Sequence, residues 1–363
     1  MKAIAISLAA GLAWAAAVSA QPAPFERLPV EQFDMLPPSA RVSGPPGRMT
    51  VAERACRSVS RDQVRRRLVD LAVQEWAYFG FAIADETQPE ADDDGDRRRA
   101  RDARRRSRLS PPELARLADS IAGYWAVTPE GGWILERQNQ IWSRSLGTVA
   151  DWRDPWSAAF ISWLMCEGGL DEDAEFERAI AHYIYIDQAI LAREDESLPS
   201  AFIAHEVGEI AVEPGDLLCR ARRGAYRTLA ERRRDLGQGA RSHCDLVVEL
   251  DPASGRILTI GGNVRDSVRL KLLAAEPMPG SARAGVYASI GRGGRAVFAH
   301  LKLRADSIGA DALETTPTFR ALQERGYAEW LEVWVRESGR PGCCSLQTTS
   351  AAPGTESRAQ PSG

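Results

Sequence analysis

Three polar residues of the types used in nucleophilic catalysis follow one another along the chain. Ser157 stands near the start of the apolar stretch "PWSAAFISWLM", His243 begins "HCDLVVEL", and Asn263 follows "ILTIGG". A hydroxyl at a helix start, an imidazole on a strand and an amide after the next strand suit a nucleophile, its base and a group that orients the base. The order therefore predicts hydrolytic chemistry in which His243 moves the proton and Asn263 fixes its tautomer.

The serine in the nucleophile position restricts this chemistry. A helix N-terminus stabilises a thiolate, but an alcohol ionises at a much higher pH, so the helix dipole alone does not activate Ser157. Ser157 is a nucleophile only if His243 removes its proton during the attack. The alternative is a structural serine that contributes local hydrogen bonds at a helix start. The sequence leaves both interpretations open.

The elements that position these residues change period along the chain. From about residue 60 the apolar residues recur with helical spacing, and "SPPELARLADSIAGYW" and "DPWSAAFISWLMCEGG" both carry helix-start residues. Beyond Pro214 the period becomes two, and "DPASG" is typical of a hairpin turn. Helices followed by strands predict an α+β fold, with N-terminal helices followed by an antiparallel β-sheet.

One folded domain, residues 51–335, is predicted between segments of low order. Residues 1–20 have the layout of a secretory signal peptide, and the proline-rich residues 21–50 indicate a disordered leader. Residues 86–108 are acidic and then basic, which is typical of a solvated charged loop. Residues 336–363 are poor in bulky apolar side chains and are predicted to be a disordered tail.

Cleavage of the signal peptide is expected after Ala20, so the mature protein is expected to be secreted or periplasmic. In an oxidising compartment the cysteines are disulfide candidates. Strand alternation places Cys219 and Cys244 on the core-facing sides of two strands that pair, which predicts a Cys219–Cys244 disulfide. The pairing of the other four cysteines stays open: Cys56, Cys166, Cys343 and Cys344.

The composition argues against several classes of partner. The 363 residues carry a formal net charge of −4 and no broad basic stripe, so a nucleic acid is not expected. No segment after the N-terminal one is apolar enough to span a bilayer, so an integral membrane protein is not expected. The "AHEVGE" stretch lacks the second histidine of a zinc-binding helix, and neither a metal nor a cofactor is predicted.

Four short stretches resemble the motif series of the CHAP and NlpC-type cell-wall amidases and peptidases. They are "PWSAAFISW", "EPGDLL", "SHCDLVVEL" and "IGGNVRDSV". The resemblance implies a papain-like fold in which Ser157 occupies the position of the family cysteine and His243 that of the base. Asn263 then falls on the orienting position, with Asp266 as a second choice.

Residues from about 55 to 310 also resemble the bacterial family catalogued as domain of unknown function 2272, which shares the Trp-Ser-Ala-Ala-Phe-Ile-Ser sequence. This second resemblance covers most of the domain but implies no activity. The first resemblance, with the predicted signal peptide, favours an exported papain-like hydrolase acting on an amide bond of peptidoglycan. Residues expected to line its substrate cleft are Trp156, His182, His205 and Asp266.

Two other functions remain open from the sequence. A non-catalytic relative would keep the cleft and bind cell-wall peptides or an envelope partner protein. A structural envelope protein would bind no ligand.

Overall fold

A layer of helices packs against a β-sheet in the computed structural model. The model describes residues 25–87, 111–144, 152–222, 225–291 and 296–325. The predicted signal peptide, most of the predicted charged loop and the predicted tail lie outside these ranges. Within them, no helix is long and apolar enough to cross a membrane.

The described ranges contain seven α-helices and ten strands, and a short 3-10 helix at Pro38–Arg41. The helices are α1 (Arg61–Tyr78), α2 (Pro111–Ala126), α3 (Gly131–Arg144), α4 (Ser157–Gly168), α5 (His182–Glu194), α6 (Leu229–Arg233) and α7 (Pro317–Glu324). The strands are β1 (Val42–Ser43), β2 (Thr50–Val51), β3 (Ile83–Glu86), β4 (Phe202–His205), β5 (Leu217–Ala221), β6 (Ser242–Asp251), β7 (Arg256–Gly261), β8 (Arg269–Pro277), β9 (Tyr287–Ile290) and β10 (Ala299–Leu303). The predicted α+β class is confirmed.

Helix α4 lies at the centre of the molecule, and each of its 12 residues is buried. It packs against α1 and α2 on one side and against β6 and β7 on the other. The helix ends at Gly169, whose φ of 109° lies in the left-handed region, and a Cβ there would stand 2.2 Å from the Val59 side chain. A helix enclosed in this way holds its first residue, Ser157, in a fixed position.

The main sheet has the strand order β3-β8-β7-β6-β5-β10-β4, and β9 pairs with β8. Every pair in it is antiparallel except β3 with β8, which run parallel. The prediction of an antiparallel sheet is therefore wrong at this edge, and the sheet is mixed. Parallel neighbours need a long connection, and β3 precedes most of the helices in the chain whereas β8 follows them.

The N-terminal segment packs against the helices, so the expectation of a disordered leader is wrong for residues 25–50. Phe25 and Phe33 are buried in the main core, and Arg27 pairs with Glu75 through two bonds of 2.6 and 2.8 Å. Arg41 contacts the buried Glu167 at 2.7 Å. Proline fixes an extended backbone, but such a backbone still docks when its apolar and charged side chains find partners.

Two disulfides join parts of the fold. Cys219 and Cys244 are directly opposite each other on β5 and β6, and their bridge confirms the predicted pair. A second bridge joins Cys56 to Cys166 near the end of α4, a pairing that the sequence left open. Both bridges are typical of proteins that fold in an oxidising compartment.

Removing either bridge should lower the free energy of unfolding, measured by urea denaturation. Cys56→Ser with Cys166→Ser opens a loop with a sequence separation of 110, and Cys219→Ser with Cys244→Ser one of 25. Loop entropy predicts losses of about 5 and about 3 kcal/mol, respectively. Peptide mapping of the wild-type protein without reduction should find both bridges. Alkylation of either pair without prior reduction would contradict the structure.

Candidate functional site

The N-terminus of α4 presents Ser157 together with unpaired backbone donors. Its first intrahelical bond runs from the Phe160 N–H to the Trp156 carbonyl at 3.0 Å, and no side chain caps the helix. In the described chain, the N–H groups of residues 157–159 have no backbone acceptor. These donors and the positive end of the helix dipole favour negative charge beside Ser157.

His182, the first residue of α5, is the histidine that contacts Ser157. Its Nε2 lies 2.8 Å from Ser157 Oγ, while its Nδ1 contacts the Tyr185 hydroxyl and lies 3.2 Å from the Cys244 backbone nitrogen. A backbone N–H can only donate, so Nδ1 must be an acceptor and the neutral ring carries its proton on Nε2. His182 therefore donates a hydrogen bond to Ser157 Oγ and does not act as its base in this state.

His243, the second residue of β6, lies beyond His182 and does not hydrogen-bond Ser157. The two imidazole centroids are 5.1 Å apart. His243 Nε2 lies 2.9 Å from Asp245 Oδ1, and because a carboxylate accepts, Nε2 carries the proton. His243 Nδ1 keeps its lone pair and is buried, and no group of the described residues hydrogen-bonds it. This is the tautomer of a histidine prepared to accept a proton.

Asp245 is the centre of a buried charge network. Its Oδ2 lies 2.8 Å from Lys271 Nζ and 3.4 Å from an Arg220 nitrogen, and Arg220 also pairs with Glu86. Burial by itself raises the pKa of Asp245, but Lys271, His243 and Arg220 outweigh it and hold that pKa well below its usual range. The carboxylate therefore stays ionised and holds the ring of His243 in place.

Both histidines of the site are held neutral. Burial lowers the pKa of His182 well below its usual value, and the nearby His243 lowers it further. Burial also lowers the pKa of His243, and although Asp245 opposes this shift, Lys271 reinforces it. Only 4% of Ser157, 4% of His182 and 6% of His243 is exposed, so water screens these interactions weakly.

Asn263 does not take the predicted orienting position. It lies in the loop between β7 and β8 with a φ of 55°, and the side chain that holds His243 is Asp245. Alternation along a strand puts residues 243 and 245 on the same side, so β6 supplies its own orienting group. The neighbouring strand β7 places Gly261 there, where a Cβ would stand 1.9 Å from Asp245 Oδ1. Asp266, the second choice, lies in the same loop and is likewise not the partner of His243.

Two residues expected in a cleft lie elsewhere. Trp156 is buried, and its ring packs against Tyr124 and Phe79 with centroid distances of 5.8 Å. His205 lies on β4, which β10 and β5 separate from β6, and its Nδ1 is 3.4 Å from Glu209. Apolar packing around α4 and the position of β4 at the sheet edge account for these placements.

His182 was expected in the substrate cleft, and the sequence contains a signal for Asp245, the site residue that the prediction missed. The spacing His-x-Asp in "SHCDL" places an acidic group beside His243 on any strand. No local pattern marks His182 as the partner of Ser157, because the contact joins the N-termini of two helices 25 residues apart. Among the described residues, no group of three or more His, Cys, Asp or Glu side chains is arranged to hold a metal ion.

Residues 114–286 match the model of the family DUF2272, described as an uncharacterized protein conserved in bacteria. This segment is similar to that family. It includes Ser157, His182, His243, Asp245 and Lys271, so the similarity covers nearly all of the site. No curated protein and no solved structure matches the chain.

Replacing Gly261 with alanine should disrupt the His243–Asp245 pair. The new Cβ would overlap Asp245 Oδ1 and lie 3.1 Å from His243 Nε2. Overpacking of this kind should lower the free energy of unfolding by about 1–3 kcal/mol in urea denaturation. Gly239→Ala is the matched control, since nothing lies within 4 Å of a Cβ there. Equal stabilities of the two variants would contradict the close contact at Gly261.

The stability of the domain should fall as the pH drops below the usual histidine pKa of about 6.5. His182 and His243 have lowered pKa values in the folded chain, so the unfolded chain binds protons first and is favoured as the pH falls. Each group adds up to about 1.4 kcal/mol per pH unit in this window. His182→Gln should make the dependence shallower in urea denaturation between pH 7 and pH 5. An unchanged slope would contradict burial of a neutral His182.

Proposed function

We propose that this chain is an exported papain-like hydrolase that cleaves an amide bond of peptidoglycan. Ser157 is the nucleophile, His243 is the base, and Asp245 replaces Asn263 as the residue that orients the base. The observation that carries the proposal is the His243–Asp245 pair, whose Nδ1 lone pair is unpartnered beside the Ser157–His182 contact.

The arrangement of elements supports a papain-like fold. A buried helix begins at the nucleophile position, and the same helix packs against the strand that carries His243. The strands that follow, β6 and β7, pair in an antiparallel manner. The nucleophile on the helix and the base on the strand follow the order of the papain-like enzymes, whereas the orienting group, Asp245, comes from the strand of the base itself.

The proposed reaction is acyl transfer in two steps. Ser157 Oγ bonds to the carbonyl carbon of the amide as its hydroxyl proton passes to His243 Nδ1. His243 then gives this proton to the leaving nitrogen, the C–N bond breaks, and an acyl-serine remains. A water molecule then attacks the acyl-serine and gives a proton to His243. His243 passes this proton to Ser157 Oγ as the ester C–O bond breaks, which releases the acid and restores the serine. Asp245 stabilises the imidazolium that forms in each step.

Exposed arginines support an acidic peptide as the substrate. Arg222 follows β5, Arg241 precedes β6 and Arg265 lies in the loop after β7, so all three stand at the end of the sheet that carries His243. The Arg222 N–H donates to the Arg241 carbonyl at 2.8 Å, which brings the first two together. The peptide stems of peptidoglycan carry free carboxylates, which guanidinium groups bind well.

A second function, binding without catalysis, is favoured by the burial of the site. Ser157 and His182 are each only 4% exposed, and His182 donates to the serine instead of accepting its proton. A protein of this kind would bind cell-wall peptides through its exposed arginines and would use the buried polar residues to hold α4, α5 and β6 together.

Hydrolysis of purified peptidoglycan, followed by chromatography and mass spectrometry of the released fragments, tests the proposal. Ser157→Ala and His243→Gln should each lower the rate by at least about 10³-fold. Ser162→Ala is the control for the serine, because Ser162 lies on the same helix and bonds only to the Ala179 backbone. His300→Gln is the control for the base.

His300 reproduces the environment of His243 away from Ser157. Its Nε2 lies 2.8 Å from the buried Asp216, and its Nδ1 is also buried without a partner. Both controls should keep the wild-type rate, with folding confirmed by circular dichroism. A wild-type rate for Ser157→Ala would overturn the nucleophile assignment. A folded wild-type protein that binds peptidoglycan in sedimentation but releases no fragment would favour the binding function.

A further inference from the structure

We propose that His182 is a permanently neutral hydrogen-bond donor that holds Ser157 Oγ at rest and the carbonyl oxygen of the substrate during the attack. The inference rests on the proposed hydrolase function and deepens it. The site then contains two histidines with different roles: His243 exchanges the proton, and His182 stabilises the charge that develops on oxygen.

The direction of the His182 hydrogen bonds is set by groups on two other elements. The Cys244 N–H, 3.2 Å from Nδ1, belongs to β6, where Cys244 is fixed by its disulfide to Cys219. The Tyr185 hydroxyl contacts the same nitrogen from the next turn of α5. Burial raises the pKa of Tyr185 well above its usual value, so this hydroxyl keeps its proton and can donate. Two donors at Nδ1 leave Nε2 as the nitrogen that carries hydrogen.

The charged groups around His182 keep it from taking a second proton. Burial contributes most to its lowered pKa, and neighbours on three strands act in addition. His243 from β6, Arg222 after β5 and Lys271 from β8 disfavour the imidazolium, and Asp245 from β6 alone favours it. His182 therefore stays neutral and donates through Nε2 alone at any pH at which the protein is folded and His243 is free to accept a proton.

The position of this N–H suits the oxygen that gains charge. As Ser157 Oγ bonds to the carbonyl carbon, the carbonyl π electrons move to its oxygen and the hydroxyl proton passes to His243 Nδ1. Oγ then accepts hydrogen bonds less strongly, and the Nε2–H of His182 is free to donate to the new oxyanion. Within the described chain, the N–H groups of residues 157–159, at the start of the helix that begins with Ser157, have no backbone acceptor and are available as further donors. His182 gains and loses no proton in this step.

Long-range ¹H–¹⁵N spectra of protein labelled with ¹⁵N-histidine test the tautomer without any substrate. The chain has four histidines, and the His182→Gln variant identifies the signals of His182. We expect the Nε2–H tautomer, unchanged from pH 8 to pH 5. The Nδ1–H tautomer, or protonation of His182 near its usual pKa of about 6.5, would overturn the donor assignment.

Two substitutions then test the role in catalysis. His182→Gln keeps an N–H donor of similar reach, whereas His182→Phe keeps the bulk of the ring and removes the donor. His182→Phe should lower kcat by about 10²–10³-fold with little change in KM, and His182→Gln should lower kcat by less. The acidic limb of the pH profile should stay in place in His182→Gln, since it reports His243.

The results separate the two proposals. Loss of the acidic limb in His182→Gln would show that His182 is the base and overturn its assignment as a donor. A wild-type protein that is inert on peptidoglycan but shows the Nε2–H tautomer would reject the hydrolase function and support the fixed donor to Ser157. An active protein in which His182→Phe keeps the wild-type kcat would overturn the role in catalysis and leave the hydrolase function supported.

Discussion

The ionised carboxylate of Asp245 has to be compensated, because a charge buried without partners costs several kcal/mol. His243, Lys271 and Arg220 surround it, and Glu86 balances Arg220 from the edge of the sheet. These groups come from β3, β5, β6 and β8, so only one register of four strands brings them together. A shift of one residue in any of these four strands would turn its charged side chain to the other face of the sheet. The Asp245 carboxylate would then lose a partner.

Other buried carboxylates organise the rest of the molecule by the same principle. Glu75 and Glu167 receive arginines from the N-terminal segment and attach it to the helical layer. Asp216 joins strands β5 and β10 through His300. These carboxylates connect elements that are far apart in the chain. Asp245 differs in that its histidine lies beside a second histidine, His182, which contacts Ser157.

Much of the fold follows from local patterns in the sequence. The change of period near residue 214 predicts helices followed by strands, and alternation along β5 and β6 predicts the Cys219–Cys244 bridge. Contacts between distant segments have no such pattern. The docking of residues 25–50 depends on partners that lie far along the chain. The parallel pairing of β3 with β8 also joins two segments that are far apart in the chain.

In the site, too, local patterns predict some residues and contacts between distant segments determine the others. The helix start identifies Ser157 and the strand identifies His243, because each feature is local. The spacing of Asp245 from His243 is also a local feature of β6, and it is sufficient to predict their contact. The resemblance to papain-like enzymes implies Asn263 as the orienting residue instead. The contact between His182 and Ser157 joins the first residues of α5 and α4, and no spacing in the sequence encodes it.

The connectivity of the two disulfides has a consequence for biosynthesis. Both bridges join cysteines that are neighbours in chain order, since no other cysteine lies between Cys56 and Cys166 or between Cys219 and Cys244. If each cysteine pairs with the preceding unpaired cysteine in the chain, oxidation gives the native pairing directly. Reshuffling of incorrect bridges is a slow process. Pairing of the four bridged cysteines in chain order therefore requires no reshuffling step.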